Sequence, residues 1–295
     1  MNDLRGCGTA IVTPFSDGRV DTAALAGLTA WQIGEGIDFL VVCGSTGEAQ
    51  TLNEIERHTV LETVLTEANG RVPVMMGATS NDTARAVDDA RRCGALGADY
   101  LLTAAPYYNK PGVEGMYRHF TSIADASACP VMVYNVPGRS AVNMPPALVR
   151  RLADHPNIIG LKESSGDLHQ ILHILRERPD GFAVFAGDDW LAMPVILAGG
   201  DGLISVTSNV IPKLMRKLAA FALLGESHAA RDLHFRLMPL MDANFLESNP
   251  APVKAALAAM RRIRNELRLP LMPASDTTTR IVTDHLRALG VEFPA

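Results

Sequence analysis

The sequence predicts a (β/α)8 barrel, the TIM-barrel architecture of the α/β class, followed by an all-helical C-terminal extension. Three observations lead there. Eight short apolar runs rich in Val, Ile and Leu recur along the first two hundred or so residues, each ending in Gly, Pro, Asn or a small polar cluster, as buried parallel strands do. Segments of helical spacing separate them, so strand and helix alternate strictly. Eight units in about 200 residues leave about 25 each, which suits a closed barrel better than an open doubly wound sheet. No G-x-G-x-x-G follows the first strand, so a dinucleotide-binding fold is disfavoured.

The first strand is placed at residues 8–12 and its helix at 21–36. The second strand, 39–43, leads to a helix at 53–68, where Asn53 followed by Glu54 and Glu56 reads as an N-terminal cap. The third pair is 72–77 and 82–96, the latter opened by Asp82 before Thr83. The remaining strands are 100–104, 131–135, 158–162, 183–186 and 202–206, with helices at 113–126, 145–154, 167–178, 190–198 and 212–224. Beyond residue 225 the strand signal fades and only helical patterns remain, at 228–245, 251–267 and 276–289. The expected division is a barrel domain, residues 1–224, and a helical extension, residues 225–295. Such an extension needs a surface to pack against, either a barrel face or another subunit.

The 295 residues are 47% hydrophobic and 20% charged, with 27 Lys+Arg against 32 Asp+Glu. That composition excludes disordered and collagen-like chains, and the net charge of −5 disfavours a nucleic-acid binder. Cys7, Cys43, Cys93 and Cys129 form no C-x-x-C pair and read as free thiols of a reducing compartment. The start, Met1-Asn2-Asp3-Leu4-Arg5, shows no leader pattern, and the longest apolar run, residues 191–200, is too short to span a bilayer. A soluble cytoplasmic protein with no membrane partner is expected.

Barrel enzymes carry their chemistry at the C-terminal ends of the strands. There the chain offers Gly44-Ser45-Thr46-Gly47-Glu48, Pro106-Tyr107-Tyr108-Asn109, Tyr134 through Ser140, Lys162-Glu163-Ser164-Ser165-Gly166 and Gly187-Asp188-Asp189. Of only five lysines, Lys162 alone follows an apolar strand; Lys110, Lys213, Lys217 and Lys254 fall in a loop or on helices. A buried lysine loses hydration that favours its ammonium, and a fall from about 10.4 toward about 7 to 8 frees the amine as a nucleophile. An imine with a carbonyl substrate is its natural use; a salt bridge to Glu48 or Asp188 is the structural alternative.

Arg139 is placed to hold a substrate carboxylate or to make a loop salt bridge. Tyr134 is either a core tyrosine or, beside Ser45 and Lys162, part of a proton relay. Gly44 and Gly47 bracket two hydroxyls whose turn amides suit a small carboxylate or phosphate. Tyr107 and Tyr108 form a packing or interface pair. His169 and His173 are four apart, but Gln170 stands where a zinc protease motif needs Glu, so no metal site is expected. Arg261-Arg262-Ile263-Arg264 reads as a solvated helix face.

Taken in order, Gly44-Ser45-Thr46-Gly47-Glu48, Pro106-Tyr107-Tyr108-Asn109, Tyr134-Asn135-Val136-Pro137-x-Arg139 and Gly160-Leu161-Lys162-Glu163 resemble the class I pyruvate aldolase and N-acetylneuraminate lyase superfamily, and within it the dihydrodipicolinate synthases. The likeness runs from Ile11-Val12-Thr13-Pro14-Phe15 through Gly202-Leu203-Ile204-Ser205-Val206 to Glu247-Ser248-Asn249-Pro250-x-Pro252-Val253-Lys254 and Leu267-Arg268-Leu269-Pro270. The resemblance implies an imine of pyruvate on Lys162 and a relay of Tyr134, Ser45 and a neighbouring subunit's Tyr108. It further implies that the Ser45 and Thr46 amides hold pyruvate, that Arg139 holds the carboxylate of aspartate semialdehyde, and that Gly187 and Ile204 line the pocket. It also implies the diaminopimelate route to lysine, a homotetramer built as a dimer of dimers, and no metal or organic cofactor.

The chain departs from these synthases at Ser45, where Thr is usual; Gly-Ser-Thr-Gly-Glu is common in lyases of keto-deoxy sugar acids and N-acetylneuraminate, while Arg139 argues for the synthases. A catalytically silent barrel with a binding role is the third reading, opposed by Lys162, Tyr134 and Tyr108. The family's lysine-feedback site corresponds to Ala49, Gln50, Glu54, Arg57, Asn81, Arg85 and Tyr107. Sensitive members tend to carry His and Glu where this chain has Arg57 and Arg85, so weak or absent lysine inhibition is expected.

Overall fold

Strand β1 (Gly6–Ala10) is followed by a short antiparallel hairpin of β2 (Phe15–Ser16) and β3 (Arg19–Val20). Then come β4 (Phe39–Val42), β5 (Val74–Gly77), β6 (Tyr100–Ala104), β7 (Val131–Asn135), β8 (Ile158–Glu163), β9 (Ala183–Ala186) and β10 (Gly202–Ser205). Apart from the hairpin these strands are parallel, and they close into an eight-stranded barrel when β10 pairs with β1 in the register Gly6↔Gly202 to Thr9↔Ser205. This computed structural model describes residues 4–293; Met1, Asn2, Asp3, Pro294 and Ala295 lie outside them.

Alternate strand residues serve two cores. Phe39, Met75, Leu102, Met132, Tyr134, Phe185 and Ile204 point inward and form one buried cluster. Phe39 meets Phe185 edge to face with centroids 5.5 Å apart. Gly8 makes that possible, because a Cβ there would sit 2.1 Å from Phe39 Cε2. Leu40, Val42, Leu161, Val184 and Leu203 face outward against the helices. Full burial of each such side chain is worth about 1.5–3 kcal/mol.

The barrel helices are α1 (Thr22–Gly34), α2 (Glu54–Ala68), α3 (Thr83–Ala95), α4 (Val113–Ala126), α5 (Pro137–Ser140), α6 (Pro146–Leu152), α7 (Leu168–Glu177), α8 (Ala192–Leu197) and α9 (Pro212–Leu223). Asn53 and Glu56 form the full capping box, and Asp82 caps α3 through the Ala84 amide. After these come α10 (Ser227–Ala243), α11 (Ala251–Ala259) and α12 (Asp276–Ala288). Their Leu237, Leu257, Val282 and Leu286 belong to the same buried cluster as barrel residues Leu28 and Val206.

Several expectations need correction. The first strand lies two residues earlier than predicted, and the β2–β3 hairpin and α5 were not anticipated. The helix expected to reach residue 267 stops at Ala259, where Arg261 adopts a left-handed φ of 54°. Arg261-Arg262-Ile263-Arg264 is therefore a turn: the Arg262 guanidinium stacks 3.6 Å from the Trp31 ring centroid, Ile263 is buried and Arg264 pairs with Asp17. Tertiary contacts outweigh helix propensity there. All four cysteines are free and buried. No helix of the described residues is long and apolar enough to cross a membrane.

Candidate active site

The loops that follow β4, β6, β7, β8 and β9 converge on a cleft of about 560 Å³ at the C-terminal mouth of the barrel. Ser45, Thr46, Tyr134, Arg139, Lys162 and Gly187 all line it, and the volume lies within the range of small-molecule sites.

Lys162 stands near the end of β8, where the register sets it opposite Tyr134 on one side and Phe185 on the other. It is buried, and its amine lies 4.4 Å from the centroid of the Tyr134 ring. Gly187 clears the other flank: a Cβ there would fall 1.9 Å from Ser164 Oγ and 3.0 Å from Lys162 Cε. Among the described residues no carboxylate comes within 4.0 Å of the Lys162 amine, so the salt-bridge alternative is not realised. Glu48 pairs with Lys254 instead.

Acidic groups surround the lysine without touching it. Burial pushes the Asp188 carboxyl up to about 6; the Lys162 charge opposes this, while Asp189 and Glu163 add to it. Glu163, on the outer face of β8, is also pushed up by burial, against hydrogen bonds that favour its charge. It accepts from the Ser165 amide at 2.6 Å and from Asn135 Nδ2 at 2.9 Å. Asn135 also donates to Asn143, and Asn143 to Gln170, so a buried amide network anchors the strand end that carries Lys162.

The turn after β4 is tied by the Gly47 amide to Gly44 O and the Glu48 amide to Ser45 O, both at 3.1 Å. Among the described residues the Ser45 and Thr46 amides have no acceptor, which leaves two donors free at the cleft wall. Thr46 Oγ1 accepts from Asn249 Nδ2 at 2.9 Å. Arg139 sits exposed on α5, with Nη2 donating weakly to Asn249 O at 3.4 Å and no ion-pair partner among the described residues. Its guanidinium is thus uncommitted.

Two expected residues do not reach this cleft. Tyr108 is 86% exposed with a left-handed φ of 70° and is not among the residues that line its own chain's cleft, whereas Tyr107 is. Ile204 is fully buried in the barrel interior beneath the cleft, and Val206 lines the wall in its place. His169 and His173 meet edge to face with ring centroids 4.6 Å apart, and no group of three or more metal-ligating side chains occurs among the described residues. Ala49, Gln50, Arg57, Asn81, Arg85 and Tyr107 line the same cleft, while Glu54 lines an adjoining groove.

The motifs in this geometry match known proteins along nearly the whole chain. The model of the dihydrodipicolinate synthetase family covers residues 3–289. The chain belongs to the dihydrodipicolinate synthetase family. A relative from Koribacter versatilis (strain Ellin345), named 4-hydroxy-tetrahydrodipicolinate synthase, is 52% identical over 272 residues, 92% of this chain and 91% of that one. The crystal structure of dihydrodipicolinate synthase from Thermotoga maritima superposes with a TM-score of 0.96 at 42% identity, over 98% of this chain and 99% of that one. A monomeric dihydrodipicolinate synthase variant also gives 0.96, at 41% identity over 98% and 97% of the two chains.

For this dihydrodipicolinate synthetase family member, sequence reasoning missed the contribution of the C-terminal extension. Asn249 and Phe245 line the cleft, and Lys254, set aside as a helix lysine, is fully buried against Glu48. A signal was present: Lys254 is the one charge in the otherwise apolar Ala251–Ala259 helix. A lone charge in such a run demands a buried partner.

Proposed function

We propose that this chain is a 4-hydroxy-tetrahydrodipicolinate synthase that joins pyruvate to L-aspartate 4-semialdehyde through an imine on Lys162. The observation that carries this is a buried lysine without an ion-pair partner, set against the Tyr134 ring at the mouth of a barrel.

The free amine of Lys162 attacks C2 of pyruvate, and the carbonyl oxygen leaves as water to give the imine. The Ser45 and Thr46 amides hold the pyruvate carboxylate. Tyr134, Ser45 and Tyr108 from a neighbouring copy relay the protons, and Gly187 leaves room beside the lysine stem. Loss of a C3 proton gives the enamine, whose C3 attacks the aldehyde carbon while the aldehyde oxygen takes up a proton. Arg139 holds the carboxylate of the aldehyde substrate. The substrate amine then attacks C2, closing the ring and releasing the Lys162 amine. Ile204 supports the site from below. The imine itself serves as electron sink, so this scheme calls on no metal or organic cofactor.

The same proposal includes the diaminopimelate route of lysine biosynthesis, a cytoplasmic setting consistent with free buried thiols, and a homotetramer made as a dimer of dimers. Exposed Tyr108, Leu172 and Phe235 support such assembly. Residues 1–224 act as the catalytic barrel and residues 225–295 as a helical extension that shares its core. Ser45 favours a second reading, cleavage of a keto-deoxy sugar acid or N-acetylneuraminate, which the uncommitted Arg139 opposes. Side-by-side assays decide: turnover of pyruvate with aspartate semialdehyde supports the synthase, and release of pyruvate from sugar acids alone refutes it.

A further inference from the structure

The turn that presents the Ser45 and Thr46 amides ends in a residue under local strain. Glu48 has a φ of 53°, a left-handed conformation that costs energy for a residue with a Cβ. Its carboxylate is fully buried, and both oxygens are taken by the C-terminal extension. Lys254 Nζ donates to Oε1 at 2.5 Å, and the Arg268 amide donates to Oε2 at 3.1 Å.

Lys254 is itself completely buried on α11, donates a second bond to Glu266 O at 2.9 Å and lies 4.2 Å from the centroid of the Phe15 ring. Asn249, at the start of the same segment, bonds Thr46 Oγ1. The extension thus grips the turn at two points. Neither Lys254 nor Glu48 lines the cleft. A buried ion pair seldom stabilises a fold more than an apolar pair of the same volume, but it holds two elements in a fixed direction. Here the two elements are α11 and the turn that leaves the Ser45 and Thr46 amides free.

We propose that Lys254 is a positioning residue: through its ion pair with Glu48 it fixes the residue 44–48 turn so that the Ser45 and Thr46 amides converge on the carboxylate of the keto acid bound at Lys162. This rests on the imine reading above. The pair then sets the affinity for pyruvate and leaves the reactivity of the Lys162 amine untouched.

The test is reductive trapping with borohydride over a range of pyruvate concentrations, with the adduct located by peptide mass spectrometry. It is run on the wild-type protein, on K254R, on E48Q and on the neutral pair E48Q/K254M, each with its thermal unfolding midpoint. Loss of the charged clamp raises the half-saturating pyruvate concentration about tenfold in the neutral pair, with an unchanged plateau of labelled Lys162. K254R, which returns a cation to Glu48, recovers part of that loss. Trapping in the wild type with the same half-saturation in every folded variant overturns this proposal alone. Absence of trapping at Lys162 in the wild type overturns the imine reading and this inference with it. Failure of all three variants to fold also overturns it, because the pair would then serve the fold only.

Discussion

The Lys162 amine lies 4.4 Å from the centroid of the Tyr134 ring, and the β7–β8 register places the two residues side by side. Parallel pairing with side chains alternating in and out makes this contact a property of the barrel itself. The aromatic face lies against the amine, and the same residue lines the cleft.

Tyr134→Phe keeps the ring and removes only that hydroxyl. Turnover is expected to fall about 10²- to 10³-fold, the scale of a lost acid–base group, while borohydride trapping of pyruvate on Lys162 persists. Steady-state rates and adduct mass check this together. A variant that turns over within twofold of wild type would remove Tyr134 from proton transfer.

Tyr108 is 86% exposed in the single chain, so its proposed role requires a second copy. Tyr108→Phe and Lys162→Ala are each expected to be inactive, and mixing them lets a mixed dimer rebuild one intact site from Lys162 of one chain and Tyr108 of the other. Random exchange restores about a quarter of wild-type activity, since about half the dimers are mixed and each has one good site of two. No recovery, with mixed dimers demonstrated by mass spectrometry, contradicts a role in trans.

His119 on α4 is buried, with Nδ1 2.9 Å from Thr83 Oγ1 and no partner for Nε2 among the described residues. Burial pushes its pKa from 6.5 down to about 4, with Asp82 opposing. The unfolded chain therefore takes up the proton first. No penalty exists above about pH 6.5; stability is lost as pH falls toward about 4 and the loss then levels off. The contribution is roughly 3 kcal/mol. Urea unfolding of His119→Gln between these pH values is expected to show a shallower acid decline than wild type, and parallel curves would refute the assignment.

Free lysine is expected to inhibit weakly or not at all. Arg57 and the exposed Arg85 both line the cleft; Asp89 at 3.0 Å offsets the Arg57 charge, whereas Arg85 has no ion-pair partner among the described residues and repels the ligand's ammonium groups. Titration of lysine into a turnover assay checks this, and an inhibition constant below about 1 mM would show that these cations do not exclude the ligand.

The barrel was legible because each unit declares itself locally: an apolar run such as Val131–Asn135 ends in polar residues, and a cap such as Asp82 starts the next helix. Lys162, Tyr134, Arg139 and the residue 44–48 turn were legible for the same reason, since strand ends define the mouth. What was not legible depends on distant contacts. Nothing local tells that the helix stops at Ala259 and the Arg262 guanidinium lies over Trp31, or that Lys254 crosses to Glu48. Alternation puts Ile204 inside the barrel but does not say how deep, and a single chain leaves Tyr108 without the partner its proposed role requires.

Every step of the proposed reaction passes through a covalent pyruvate imine on Lys162. Incubation with pyruvate and borohydride, followed by digestion and peptide mass spectrometry, traps and locates that imine. One reduced pyruvate adduct is expected, on the peptide carrying Lys162, and none in Lys162→Ala. An unlabelled protein, or label on Lys254 or another lysine instead, would contradict it.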